Sequence, residues 1–378
     1  MQRQSLGFAP VCPTDLALRV LALICPPTNF VPGLGFLGSV ELLSLDLSTR
    51  NRRGGTVGNV TQSPLTPEPL RLYETHPLVL RTRSYLETLG LPGRDPSSLP
   101  DASSRFADGG HYRIEIPTVN SLEAVLAVLD EGEKRGVLIH RITETLGFFR
   151  HAKSDVRAMV KACTDRGVEL VMSPGPRAVY DTSATAQTSQ GARIGYRLRG
   201  QEQLVRALVD VQRAMDCGVS AFVVYDEGML MVLGNMRRDG LIPATTRFKV
   251  SAHGGHGNPA ALQLLVQLGA NSFNPVRDLS LAMIAGLRQA APIPLDIHAD
   301  NPPASGGFMR LYEVPEIVHV ASPVYLKTGN SVLSGHGQLT TAEEARRMVR
   351  QAAVTAELLQ EMAPDLRSSP LRHDGMDC

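Results

Sequence analysis

From His111 to about Met362 the chain alternates short runs rich in β-branched and aromatic residues with longer runs whose apolar positions recur at helical spacing. The short runs predict strands at Tyr112 to Ile116, Val137 to Arg141, Val168 to Ser173, Ala221 to Tyr225, Phe248 to His253, Ser272 to Asn274, Pro294 to His298 and Val324 to Lys327. The amphipathic runs predict helices at about Ser121 to Arg135, Ser154 to Arg166, Gln201 to Cys217, Met229 to Arg238, Pro259 to Leu268, Leu279 to Ala290, Arg310 to Val320 and Ala342 to Met362. Their borders carry matching signals. Asn258-Pro259, Asp278 and the pair Thr341 and Glu344 fit helix starts. Gly136, Gly167, Gly218 and Gly269 fit left-handed helix ends. Eight consecutive strand-helix pairs predict an α/β fold, the (β/α)8 TIM barrel. An open doubly wound sheet is the rival, but it usually shows a Gly-rich first turn, which is absent after Ile116.

Outside that region the pattern weakens. Residues 1 to 65 break into apolar patches separated by Pro26-Pro27, Pro32-Gly33 and a polar run, and read as a poorly structured, partly ordered N-terminal extension. Residues 66 to 110 read as a linker with a short helix near Pro77 to Leu89. The catalytic barrel is assigned to residues 111 to 363, and residues 364 to 378 to a flexible tail.

Within the strands, apolar residues such as Ile114, Ile116, Phe248, Val250, Leu295, Ile297, Val324 and Leu326 fall on one face, predicted to pack outward on the helices. The other face carries Arg113, Glu115, Lys249, Ser251, His253, Asp296, His298, Asp300, Tyr325 and Lys327. An interior that polar must hold paired charges, a ligand or titrating groups. For Arg113, Lys249 and Asp296 a buried ion-pair layer is the favoured expectation.

Sites on this fold lie at the carboxyl ends of the strands, so the last inward residues and the following loops carry the candidate chemistry. His253, His298, Glu115, Asp226, Glu227 and Lys327 are the catalytic candidates, with His140 and Ser173 at other strand ends. One reading is a divalent-metal site built from Glu115, Asp226, His253 and His298. A metal-free reading makes a histidine the general acid or base, with Lys327 as electrostatic partner or Schiff-base amine. Arg177, Asn274, Arg277, Asp300, Asn301, Arg310 and Asn330 are candidate substrate-binding residues, and their cations favour an anionic ligand. The 27-residue connection Pro174 to Gly200 is long enough to be a lid or binding loop.

Composition narrows the partners. Charged residues make up 20% of the 378 and the net charge is +1, which gives no nucleic-acid footprint. No run reaches the roughly 18 to 20 apolar residues of a membrane span. The five cysteines lack metal-binding spacing, which argues against an iron-sulfur cluster and fits a reduced, cytoplasmic setting.

The segments Lys249-Val250-Ser251-Ala252-His253, Ser272-Phe273-Asn274-Pro275 and Ile293-Pro294-Leu295-Asp296-Ile297-His298 resemble the second half of barrels in peptidase family U32, and the resemblance extends over about Phe106 to Ala356. It implies a (β/α)8-type fold and a protein named as a peptidase, in a family whose catalytic mechanism was left unassigned. Oxygen-independent hydroxylation proteins among those relatives hold an iron-sulfur cluster through a cysteine set that this chain lacks. The expectation is a cytoplasmic enzyme of U32 type acting on a small anionic or peptide-like substrate. The alternatives are a divalent-metal-dependent lyase or aldolase and a non-catalytic binding subunit; the oligomeric state stays open.

Overall fold

The computed structural model describes residues 73–180, 184–335 and 337–371. The N-terminal extension expected for residues 1 to 65 lies outside them. A first helix, α1 (Pro77–Thr88), precedes eight strands that close into a barrel in sequence order, every neighbouring pair parallel. The strands are β1 (Tyr112–Ile116), β2 (Arg141–Thr143), β3 (Glu169–Met172), β4 (Ala221–Val224), β5 (Arg247–Val250), β6 (Ser272–Phe273), β7 (Leu295–His298) and β8 (Val324–Lys327). The helices that follow them are α2 (Leu122–Arg135), α3 (Lys153–Thr164), α4 (Gly200–Met215), α5 (Glu227–Arg238), α6 (Pro259–Gln267), α7 (Leu281–Ala290), α8 (Val314–Ala321) and α9 (Ala342–Met362). This is the TIM barrel that the alternation of patterns predicts.

The outward strand residues behave as their period requires. Ile114, Ile116, Phe248, Val250, Leu295, Ile297, Val324 and Leu326 are all buried in one apolar layer between strands and helices. Each such side chain contributes roughly 1.5–3 kcal/mol by leaving water. Helix ends follow the local chemistry. Asn258 caps α6 through Ala261 N, and Thr341 with Glu344 forms the reciprocal capping box of α9.

Two local expectations need correction. β2 begins at Arg141 rather than Val137, because the apolar residues after Gly136 finish the preceding helix: Val137 N donates to Gly132 O, the long bond of a Schellman cap. His140 thus precedes the strand, with its Nδ1 accepting from Ile114 N at 3.0 Å and its Nε2 lying 2.8 Å from the Ser369 carbonyl. The cap of α7 is Ser280, bonded to Met283 N, and not Asp278.

The segment 364–371, expected as part of a flexible tail, runs beneath the barrel. Ser369 is fully buried, donates its N–H to Tyr112 O and accepts from Arg113 Nε. Residues 372–378 lie outside the described residues. No helix among the described residues is long and apolar enough to cross a membrane.

Candidate functional site at the carboxyl face

The inward residues divide the barrel into a charged side and an apolar side. Val171, Ala221, Val223 and Tyr225, from β3, β4 and the residue after β4, form a small hydrophobic cluster of their own. Opposite them, β1, β2, β5, β7 and β8 supply an ion-pair layer. Glu115 pairs with Lys249, lies 3.3 Å from Lys327 Nζ and 3.5 Å from Arg141, and accepts from Thr143 Oγ1 at 2.8 Å. Asp296 takes Arg141 at 3.1 Å, Lys249 at 3.5 Å and Ser272 Oγ at 2.9 Å. Both carboxylates are fully buried. Burial would raise the Glu115 pKa, but Lys249, Lys327 and Arg141 together hold it well below the usual carboxylate range.

Above this layer sits a cavity of about 30 Å³, space for about two waters. Its floor and walls include Lys327, His298, Asn274 and Lys249, and its roof includes His253, Arg277 and Tyr196. His298 and Lys327 are register partners at the ends of β7 and β8. The Lys327 amine donates to Asn274 Oδ1 at 3.0 Å. Burial drives its pKa down to about 7, with Lys249 and Arg277 pushing the same way against Glu115 and Asp296. A buried lysine so shifted holds a sizeable unprotonated fraction at neutral pH, as amine nucleophiles require.

The roof is built from aromatic and cationic groups. β5 ends at Val250, so His253 stands on a 3-10 turn (Ala252–Gly254) capped by Ser251 and not on the strand itself. The Tyr196 ring stacks on the His253 imidazole with centroids 4.0 Å apart. Arg277 NH2 lies 3.2 Å from His253 Nε2. Arginine only donates, so Nε2 is the acceptor and a neutral ring carries its proton on Nδ1. Arg177, only 2% exposed, lies within 5 Å of the ring centres of Tyr180, Tyr196 and Tyr225. Its Nε and NH1 have no hydrogen-bond partner among the described residues.

Of the sequence candidates, Lys327, His298, His253, Asn274 and Arg277 are brought together here. Glu115 lies one layer below, inside the ion-pair network. Asp226 and Glu227 are elsewhere. Asp226 caps α5 through Met229 N, because a short carboxylate just before a helix satisfies its first free N–H groups. Glu227 pairs with Arg197 and His256, and Arg197 also donates to Gly254 O at 2.7 Å, latching the long loop to the turn after β5. The divalent-metal set proposed from Glu115, Asp226, His253 and His298 is therefore not assembled. Among the described residues no three His, Cys, Asp or Glu side chains are grouped to hold a metal ion.

The loops after β7 and β8 hold the remaining candidates. Asp300 accepts from Gly329 N at 2.8 Å and Ser331 N at 2.7 Å, so it organises the β8 loop and does not face the cavity as a substrate ligand. Arg310 pairs with Glu313 and donates to Leu279 O, tying neighbouring loops. The carboxamides of Asn301 and Asn330 are fully buried, and neither has a partner among the described residues. Water or a ligand has to supply those bonds.

Sequence reasoning missed the threonines of the wall. Thr143 follows from the later start of β2, and Thr118 and Thr145 lie in loops after β1 and β2. Thr118 is the one non-glycine among the described residues with positive φ, at 60°. A β-branched residue there is strained by about 1–3 kcal/mol, and no sequence pattern signals it.

A larger cavity, about 550 Å³, opens at the opposite, amino-terminal end of the barrel. Size alone would favour it as the active site. The carboxyl-face cavity is the better candidate for chemistry, because it combines the shifted lysine, both histidines and the strand ends where barrel enzymes react.

No family model matches the chain, and no curated protein matches it. Solved structures do. A U32 peptidase matches with 14% identity and a TM-score of 0.33, covering 50% of this chain and 69% of that one. A structure described as native KDPGal matches with 12% identity and a TM-score of 0.40, over 66% of this chain and 94% of that one. A fructose-bisphosphate aldolase, itself described as unproven, from Coccidioides immitis gives 14% identity and a TM-score of 0.42, over 76% and 95%. Such likenesses extend to a TIM barrel and no further, so the U32 resemblance is met at the level of fold and not of membership.

Proposed function

We propose that this protein is a TIM-barrel enzyme that binds a small anionic carbonyl compound at the carboxyl face and attacks its carbonyl carbon with the Lys327 amine. The observation that carries this reading is Lys327 itself, a buried lysine with its pKa pushed down to about 7 that lines a cavity with two histidines and an arginine. The unprotonated nitrogen adds to the carbonyl carbon, and the carbonyl oxygen takes up a proton to give a carbinolamine. Loss of water then yields an imine. His298, beside Lys327 in the register, is the group suited to carry these protons. Arg277 supports an anionic substrate from the roof, and Arg177 adds positive potential from behind Tyr196 and Tyr225.

This reading belongs with the lyase and aldolase alternative, without the metal that the sequence suggested for it. The cavity is smaller than any organic substrate, so Tyr196 has to leave His253 for entry. The experiment is reductive trapping with cyanoborohydride in the presence of pyruvate and of small phosphorylated aldehydes, followed by peptide mapping. A single adduct at Lys327, absent from Lys327→Met, is expected. Adducts spread over surface lysines with none at Lys327 would remove the proposal. The U32-type peptidase reading uses the same cavity with His253 delivering water to an amide; peptide hydrolysis that survives in Lys327→Met would favour it instead.

A further inference from the structure

The amino-terminal cavity is lined by the first residues of several strands: Glu169 of β3, Ala221 of β4, Arg247 of β5 and Ser272 of β6, with Pro294 just before β7. Its roughly 550 Å³ lies within the range of small-molecule sites. In barrels that only support themselves this end is filled by branched apolar side chains. Here it is open and charged. Four cations line it, Arg113, Arg141, Arg247 and Lys249, against two carboxylates, Asp108 and Glu169. The acids that hold Arg141 and Lys249, Glu115 and Asp296, belong to the ion-pair layer behind them.

The cations are rigidly presented. The Arg113 guanidinium lies 4.0 Å from the Phe106 ring centre and the Arg141 guanidinium 3.4 Å from that of Tyr325. Arg113 is fully engaged by Ser369, Tyr325 and Asp108. Arg247 shares Glu169 at 3.2 Å, and its side chain keeps 23% of its surface exposed, the greatest exposure of the four. Phe106, Val171 and Leu371 line the same cavity and provide its apolar side. A carboxylate meeting Arg247 with an apolar body against that wall would use both halves of the lining.

We propose that this cavity is a second ligand site, separate from the carboxyl-face cavity, that takes a small carboxylate with an apolar body and anchors it on Arg247. The carboxyl-face reading is not needed for this site, and its failure would leave it standing.

The test is titration calorimetry on the full chain with benzoate, with benzamide and inorganic phosphate as probes lacking one half of that chemistry. Saturable benzoate binding is expected, at least tenfold tighter than benzamide or phosphate. Arg247→Gln should weaken benzoate at least tenfold, while Arg247→Lys should retain most of it. Thermal melting checks that each variant is folded; if Arg247→Gln is not, the Arg247→Lys and benzamide comparisons still decide. Absence of benzoate binding, equal binding of benzamide, or undiminished benzoate binding by folded Arg247→Gln would overturn the assignment.

Discussion

His298 and Lys327 are paired across the β7–β8 register, so an imidazole and a lysine amine stand at the same level of the barrel on adjacent strands. If His298 transfers protons during attack by Lys327, His298→Ala should slow reductive trapping of a carbonyl by about 100-fold at pH 7, in line with general acid-base catalysis. The fold should survive, which circular dichroism reports. An unchanged trapping rate would reduce His298 to a wall residue.

The Lys327 amine should govern the pH dependence. Burial lowers its pKa to about 7, from the ordinary 10.5. Trapping should therefore rise through a midpoint near pH 7 and level off above it, while surface lysines would react only at much higher pH. Stability has the matching sign. Between pH 7 and 10.5 the unfolded chain binds a proton that the folded chain does not, so this group makes folding more favourable as pH rises across that window. A trapping midpoint near 10 would contradict the assignment.

Tyr196 lines the cavity and stacks on His253. Tyr196→Ala should open the roof and accelerate labelling of Lys327 by bulky aldehydes more than by formaldehyde. The melting temperature should fall only modestly, since Tyr196 is half-buried and the loop keeps its Arg197–Glu227 latch. Equal acceleration for both reagents would argue against a steric gate.

Asp300 holds the β8 loop through two charge-assisted bonds to backbone N–H groups in a fully buried setting. Asp300→Ala leaves Gly329 N and Ser331 N without that acceptor and should destabilise the protein by about 3 kcal/mol in urea denaturation. Asp300→Asn retains one acceptor oxygen and should lose less. A change below about 0.5 kcal/mol in Asp300→Ala would show that solvent replaces the carboxylate freely.

The barrel was legible because its signals are local. Period-two strands, period-3.6 helices and capping residues such as Asn258 and Thr341 each report on a few neighbours. So was the polar interior, since Asp296 and His298 alternate with Leu295 and Ile297. Roles were harder. Asp226 and Glu227 carry the same chemistry as Glu115, yet a cap, a loop latch and a buried ion-pair hub differ only in what the rest of the chain brings to them. Arg177 and Tyr196 meet the residue after β4 and the turn after β5 through a long loop, and Thr118 depends on a backbone angle; neither leaves a periodic trace.

Lys249 offers the sharpest test of the whole interior, because its removal acts on Lys327 by two routes with one sign. It is a cation that depresses the Lys327 pKa directly. It also pairs with Glu115 and Asp296, the two acids that raise that pKa, so Lys249→Met leaves both more strongly directed at Lys327. The trapping midpoint should move up by at least one unit, which means at least about fivefold less reaction at pH 7. The variant should also lose about 3–5 kcal/mol of stability, because two buried carboxylates are left short of a partner. Lys249→Arg keeps the charge and should hold the midpoint near 7, which separates electrostatics from packing. A midpoint that stays put in Lys249→Met, in protein shown to be folded, would mean that the ion-pair layer does not tune the lysine.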